Sequence, residues 1–184
     1  QVRGQKGGST LGRSRMCFYN ACSASFEESE SVSTSLYFAY TALISPRLMS
    51  EVAPDAQFKF IAHLPETRLT FPYRDGNWEG GLPTVRAEPG NTVWGAVFEI
   101  PTERMADLHA REEAEGRVPS EDFKAVDREG RRHSVTTHVH NGSGTGELTP
   151  SREYMRLIVE GGHHWKLPTG WVAGLEEYVE DPLI

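Results

Sequence analysis

Residues 78–98 read W-E-G-G-L-P-T-V, a short spacer, then P-G-N-T-V-W-G-A-V-F. Two glycines follow a tryptophan and open an apolar run. A glycine where a strand begins marks a place where another backbone, or a ligand, comes too close for a Cβ. Pro89-Gly90 is a turn dipeptide set between residues 82–87 and 92–100, both rich in strand formers. The spacing predicts a hairpin of these two segments, reversed at Pro89-Gly90.

The rest of the chain supplies further elements around that hairpin. Residues 36–40 read as a short buried strand. Ser45-Pro46 is a helix start, with Ser at the cap and Pro in the first turn, and Pro54 ends the helix beyond about Glu51. Residues 57–63 alternate Phe58, Phe60 and Ala62 with polar neighbours, and 68–73 continue the pattern through Leu69 and Phe71. A helix opening at 101–103 places Met105, Leu108 and Glu112 on one face, because residues three and four apart are neighbours. A carboxylate on that inward face is partly desolvated, which predicts a raised pKa for Glu112. Residues 123–126 and 133–140 form a second hairpin around Arg128-Glu129-Gly130. A glycine-rich loop covers 141–146, a helix spans 151–161 and ends at a Gly pair, and a last helix covers 169–179. Strands outnumber helices, so the class is α+β: one compact domain with a mixed curled sheet or small β-barrel and flanking helices.

At 184 residues the chain suits one domain with a sizeable core. The formal charge of −7 disfavours a nucleic-acid or anionic-membrane binder. That charge is uneven. Arg3, Lys6, Arg13 and Arg15 give the first 26 residues +4, so the remainder carries −11. Residues 1–35 read as a polar, basic extension, flexible or partly of vector origin, with an acid-poor targeting segment as the alternative and Met16 as a possible natural start. Residues 36–184 form the domain. No apolar run approaches the roughly 18 residues of a membrane span. Cys17 and Cys22 are the two cysteines, and they make neither a zinc site nor a disulfide framework, which favours a reducing cytoplasm.

Several other chemistries lack support. His138 and His140 share a strand face and could join His133 or His163-His164 around a metal, but with no carboxylate or Cys at fixed spacing they read as surface histidines and no metal is expected. Ser143 lies in N-G-S-G-T-G, which fits neither a nucleophile elbow nor a phosphate loop.

Four segments in order resemble the γ-glutamylcyclotransferase/AIG2-like superfamily: L-Y-F-A-Y with T-A-L-I-S-P-R-L-M at 36–49; the glycine-rich stretch at 78–95; L-H-A-R-E-E-A-E-G at 108–116; and Pro150, Ser151, Tyr154, Gly162, Leu167 and Pro168. The likeness covers 36–178. The family's first motif reads Y-G-S-N-L; Tyr40 keeps the Tyr, while Thr41, Ala42 and Leu43 replace Gly, Ser and Asn. The resemblance implies a compact barrel with helices outside. It also implies an enzyme that cyclises a small γ-glutamyl amide to 5-oxoproline and a free amine, as in glutathione metabolism, without a cofactor. It assigns Glu112 as general acid/base through the L-x-x-x-E spacing from Leu108, with Glu115 of Glu115-Gly116 as the alternative. Tyr40, Thr41, Ala42 and Leu43 would bind the substrate's α-carboxylate and γ-carbonyl through backbone N–H groups, and Gly80, Gly81 and Tyr154 would complete the site. A cytoplasmic monomer or homodimer with a small-molecule partner follows. The altered turn leaves two other readings open: a binding or regulatory module on the same fold, and a related amide-cleaving or acyl-transfer enzyme of specialised metabolism.

Overall fold

The computed structural model describes residues 33–142, 144 and 146–180. The basic head with Cys17 and Cys22, and Ser143, lie outside the described residues. Contacts divide the chain after Ser31, so everything described belongs to one unit.

The principal feature is a pair of long antiparallel strands, β2 (Gln57–Tyr73) and β3 (Leu82–Pro101). The reversal expected at Pro89-Gly90 is not there; the chain turns back at 74–81, in the W-E-G-G stretch. β3 stays paired with β2 on both sides of Pro89-Gly90, from Phe98 opposite Phe58 to Leu82 opposite Tyr73. Between the pairs Pro65–Thr92 and Thr67–Ala87 the register slips, so residues 88–91 bulge against Glu66 alone. Gly90 takes φ +84° and Glu66 φ +55°, and the Gly90 N–H donates to Glu66 Oε2 at 2.8 Å. A proline has no N–H for a ladder, and a bulge is where a strand tolerates one. The two strands expected at 57–63 and 68–73 are likewise one.

β1 (Thr34–Ala39) pairs with the other side of β3, Tyr37 opposite Phe98. β5 (Lys124–Asp127) and β6 (Arg132–Ser134) form a hairpin that joins β2 through Ala62 and Asp127. The described residues thus hold a five-stranded sheet of order β1-β3-β2-β5-β6 and a two-stranded ribbon of β4 (Val118–Ser120) with β7 (Thr137–Val139). The strand expected over 133–140 is therefore two, in different sheets. Thr136 follows β6 by two residues yet binds the opposite edge: it donates to Leu36 O at 2.8 Å and accepts from the Phe38 N–H at 2.9 Å. Two residues reach only about 7 Å, so the sheet curls until its edges nearly meet. These bonds form an isolated bridge, not a ladder, and the sheet is a curled antiparallel one that does not close into a barrel.

Curling gives the inner half of β1 two buried faces. Successive side chains of β1 point opposite ways. Tyr37 and Ala39 join the core between sheet and helices, with Phe98, Leu108, Tyr154 and Ile158; Phe38 joins Ala62, Leu64 and Val97 on the other face. Burying each such large side chain contributes about 1.5–3 kcal/mol. A 3-10 turn (Ala42–Ile44) leads from β1 into α1 (Pro46–Val52), which begins at Ser45-Pro46 as expected, with Ser45 in the cap position but no capping bond from its side chain. α2 (Met105–Glu113) buries Met105, Leu108 and Glu112, the face read from their spacing. α3 (Arg152–His164) is capped by Ser151, and it runs through the Gly pair where its end was expected. A Cβ on Gly161 would stand 2.5 Å from the Ile44 carbonyl oxygen, so the glycine serves close packing, not termination. α4 (Thr169–Glu176) closes the described unit.

Candidate active site

β1, the turn after it, the end of α2 and the start of α3 meet at one buried cluster of charge. Glu112 is 1 % exposed, Glu115 2 % and Arg117 0 %. Glu112 projects inward from the Leu108 face of α2. Its Oε1 accepts from the Tyr37 hydroxyl at 3.2 Å and from the Thr41 hydroxyl, and its Oε2 from Arg117 Nε. Glu115 stands in the turn after α2. Its Oε2 accepts from Arg117 Nη2 and from the Tyr154 hydroxyl at 2.7 Å, and its Oε1 from Arg111 Nη1 at 2.6 Å. Tyr154 Oη also accepts from the Ala42 N–H at 3.2 Å and from Arg117 Nη2 at 2.8 Å.

Arg117 is the hub. Its Nη1 donates to the Tyr73 hydroxyl at 2.6 Å and to the Pro83 carbonyl at 3.2 Å, besides the bonds to Glu112, Glu115 and Tyr154. A guanidinium has five N–H donors. All are committed to protein, so Arg117 positions the cluster and has none to offer a ligand. Burial alone would push the guanidinium's pKa down, but Glu112 and the surrounding tyrosines hold it well above its ordinary value. Removing one partner from a buried pair is costly, because the other charge is left stranded.

The same interaction corrects the expected pKa of Glu112. Burial pushes the carboxyl up, as the sequence suggested, but Arg117's charge, with hydrogen bonds from Thr41 and Arg117, outweighs it and holds the pKa below the usual carboxylate value. Burial pushes the hydroxyls of Tyr37 and Tyr154 well up, so both remain donors.

Of the residues singled out from the sequence, Glu112, Glu115, Thr41, Ala42 and Tyr154 come together here. Tyr40 does not present its side chain to the cluster: its hydroxyl donates to the His138 carbonyl at 2.6 Å, on the other face of the sheet. Leu43 is buried in the main core. Gly80 and Gly81 meet a backbone: a Cβ on Gly80 would lie 2.6 Å from the Ser151 nitrogen. Gly81 donates to Thr149 O at 2.7 Å and accepts from the Ser151 N–H at 3.0 Å, which fixes the cap of α3 and so the height of Tyr154. Trp78 packs edge-on against Tyr154, ring centres 5.0 Å apart. Arg117, Tyr37, Tyr73 and Arg111 were not read from the sequence. An arginine just past a helix end is ordinarily solvated, and only the two glutamates preceding it hint otherwise.

The histidines divide among separate partners. His133 bonds Asp127 at 2.8 Å and His163 bonds Glu176 at 2.7 Å. His140 stacks on Tyr73 with ring centres 3.8 Å apart. His138 is not a surface residue: it is fully buried beside Tyr37 with Nε2 2.8 Å from His109 Nδ1, and burial lowers its pKa to about 4. Among the described residues no group of three or more His, Cys, Asp or Glu is placed to hold a metal, and no helix is long and apolar enough to cross a membrane.

Known proteins share both sequence and fold with this chain. The model of the AIG2-like family matches residues 92–175. The gamma-glutamylcyclotransferase of Mus musculus is 28% identical over 140 residues, 73% of each chain, and that of Homo sapiens 27% over 138 residues, 72% of each. A solved structure of a gamma-glutamyl cyclotransferase superposes with a TM-score of 0.73 at 24% identity, over 82% of this chain and 90% of that one, a likeness of fold. Fold, motif order and sequence likeness point the same way: the chain is similar to the AIG2-like family and to gamma-glutamylcyclotransferases, which supports the γ-glutamylcyclotransferase/AIG2-like superfamily.

Proposed function

We infer that this protein is a γ-glutamylcyclotransferase-type enzyme in which the α-amine of a small γ-glutamyl amide attacks its own γ-carbonyl, giving 5-oxoproline and a free amine. Likeness to the AIG2-like family and to gamma-glutamylcyclotransferases supports the reaction class. The observation that carries the reading is the pair of buried carboxylates at the exit of β1, with a tyrosine hydroxyl and a turn N–H beside them.

The chemistry needs a carrier for two protons. The substrate's ammonium must lose one before its lone pair attacks, and the new ring nitrogen loses the second. The leaving nitrogen gains both. The C–N ring bond forms as the carbonyl π pair moves to oxygen, and the old amide C–N bond breaks as that pair returns. Because the nucleophile is tethered, positioning supplies much of the acceleration. Glu115, the alternative candidate, is the better carrier. Glu112 has a lowered pKa and partners that are buried or face inward: Tyr37, Thr41 and Arg117. Glu115 Oε1 instead meets Arg111, whose side chain is 31% exposed and can swing outward as a substrate ammonium takes its place. Protonating Glu115 would also release the Tyr154 O–H to meet the developing oxyanion. Glu112 then serves to hold Arg117 and Thr41.

The test is 5-oxoproline release from γ-glutamyl dipeptides. Glu115→Gln should lower kcat by about 10²–10⁴-fold, the usual contribution of one acid/base. A Glu115→Gln enzyme as active as the parent contradicts the assignment. One observation favours the binding-module reading: in the turn, Ala42 N–H is already held by Tyr154 and Ile44 N–H by the Thr41 carbonyl. Saturable binding of γ-glutamyl compounds with no 5-oxoproline formed would establish that alternative.

A further inference from the structure

A γ-glutamyl compound presents an α-ammonium and an α-carboxylate on one carbon, and each needs an opposite charge when it leaves water. The turn after β1 is poorly supplied to meet the carboxylate. Thr41, Ala42 and Leu43 bring no side-chain N–H; the Ala42 N–H is held by Tyr154, Ile44's by Thr41 O and Ser45's by Ala42 O. Arg117 has every donor committed. Among the described residues, a further cation in contact with the cluster is Arg111, one helical turn before Glu115 and bonded to its Oε1 at 2.6 Å. The pair is lopsided: the Glu115 side chain is 3% exposed and that of Arg111 31%. Glu115's other partners, Arg117 and Tyr154, meet Oε2 and are fully buried, so a ligand reaches this carboxylate where Arg111 now stands.

Building on the cyclotransferase reading, we propose that the Arg111–Glu115 ion pair is the recognition site for an α-amino-acid head group, which enters the pair with its ammonium on Glu115 Oε1 and its carboxylate on the Arg111 guanidinium. A zwitterion fits this exchange. Each protein charge trades one partner for another of the same sign, so no charge is left uncompensated in the buried cluster. Arginine suits the role, since its planar fork pairs with a carboxylate through two parallel N–H bonds. Arg111 is also long and partly solvated, so it can swing outward with the carboxylate while its stem stays on α2. The pair thereby selects for both charges of the head group: an amine without the carboxylate strands Arg111, and an acid without the amine meets Glu115 as a like charge.

The experiment uses L-methionine sulfone, a γ-glutamyl mimic with a tetrahedral γ-centre that cannot cyclise, and its α-carboxamide. Binding of each is followed by NMR titration of the whole chain and of Arg111→Met and Arg111→Lys, with thermal melts to confirm that the variants fold. The unaltered chain should prefer the free acid. Arg111→Met should weaken the free acid by about 10–100-fold, the scale of a charged hydrogen bond, and leave the carboxamide bound no more weakly than before; Arg111→Lys should restore part of the loss. Failure of the chain to bind the sulfone, or an Arg111→Met variant that loses both ligands equally or neither, overturns the proposal. A parallel assay for 5-oxoproline separates the two claims. Head-group selectivity without cyclisation leaves the recognition site standing and removes the reaction; cyclisation without Arg111-dependent selectivity does the reverse.

Discussion

Glu112 and Glu115 differ in what their neighbours can give up, and that difference governs both stability and pH response. Glu112 and Glu115 together balance Arg117 inside the protein, so Glu112→Ala should cost about 3–5 kcal/mol by breaking one of its buried pairs and leaving Arg117 only Glu115, which it shares with Arg111; urea denaturation reads this directly. The inward aim of Glu112 was legible from its spacing to Leu108 and Met105. Its pKa direction was not, because the local pattern shows burial and hides Arg117, whose own contacts come from Tyr73, Pro83 and Tyr154 far along the chain. Two buried groups beside the cluster contribute to the acid response. Glu112 has a depressed folded pKa, so its contribution is present above the unfolded value near 4.5 and is lost as pH falls through the folded one. His138 titrates near 4 in the folded state against 6.5 when free, and faces Glu112, Arg117 and His109. The unfolded chain therefore binds that proton first, and stability declines as pH drops from about 6.5 towards 4. Urea midpoints measured across that window should fall with pH in the parent chain and fall less in His138→Gln.

At the scale of elements, glycine chemistry was legible and its partner was not. Gly80 and Gly81 do mark a close approach: the backbone of 150–151 meets Gly80, and Leu148 and Phe71 meet Gly81. Pro89-Gly90 carries the same local signal in a hairpin turn as in a bulge; only the pairing of β3 with β2 on both sides of it decides between them. Likewise the Gly pair in α3 reads locally as a stop, while its reason is the Ile44 carbonyl on a neighbouring turn. Gly161→Ala should therefore lower stability by about 1–3 kcal/mol through overpacking, and drive α3 away from the turn that Tyr154 must reach. Gly174→Ala, on α4 with open space around it, should raise stability by up to about 1 kcal/mol through helix propensity. Thermal melts of the two variants should move in opposite directions.

For the whole molecule, class and element order were readable because they rest on local periodicity, whereas the curl rests on a contact no local pattern announces. β6 ends at one sheet edge, and Thr136 binds β1 at the other. This return buries both faces of β1 and puts Tyr37 and Thr41 over α2, so the site depends on the global topology. Protection should follow the same plan. Amide hydrogen exchange should be slowest in the paired centre of β2 and β3, around Ala62 and Ala96, and fastest in the β6 edge. Equal protection across the sheet would contradict this.

The most direct test of the central claim is a crystal structure of Glu115→Gln with a γ-glutamyl amide bound. The expected α-nitrogen position is within about 2.6–3.2 Å of the residue 115 side-chain oxygen, with Arg111 displaced and Glu112 still bonded to Arg117. A substrate bound elsewhere, or an α-nitrogen on Glu112 with Arg111 unmoved, would contradict the account.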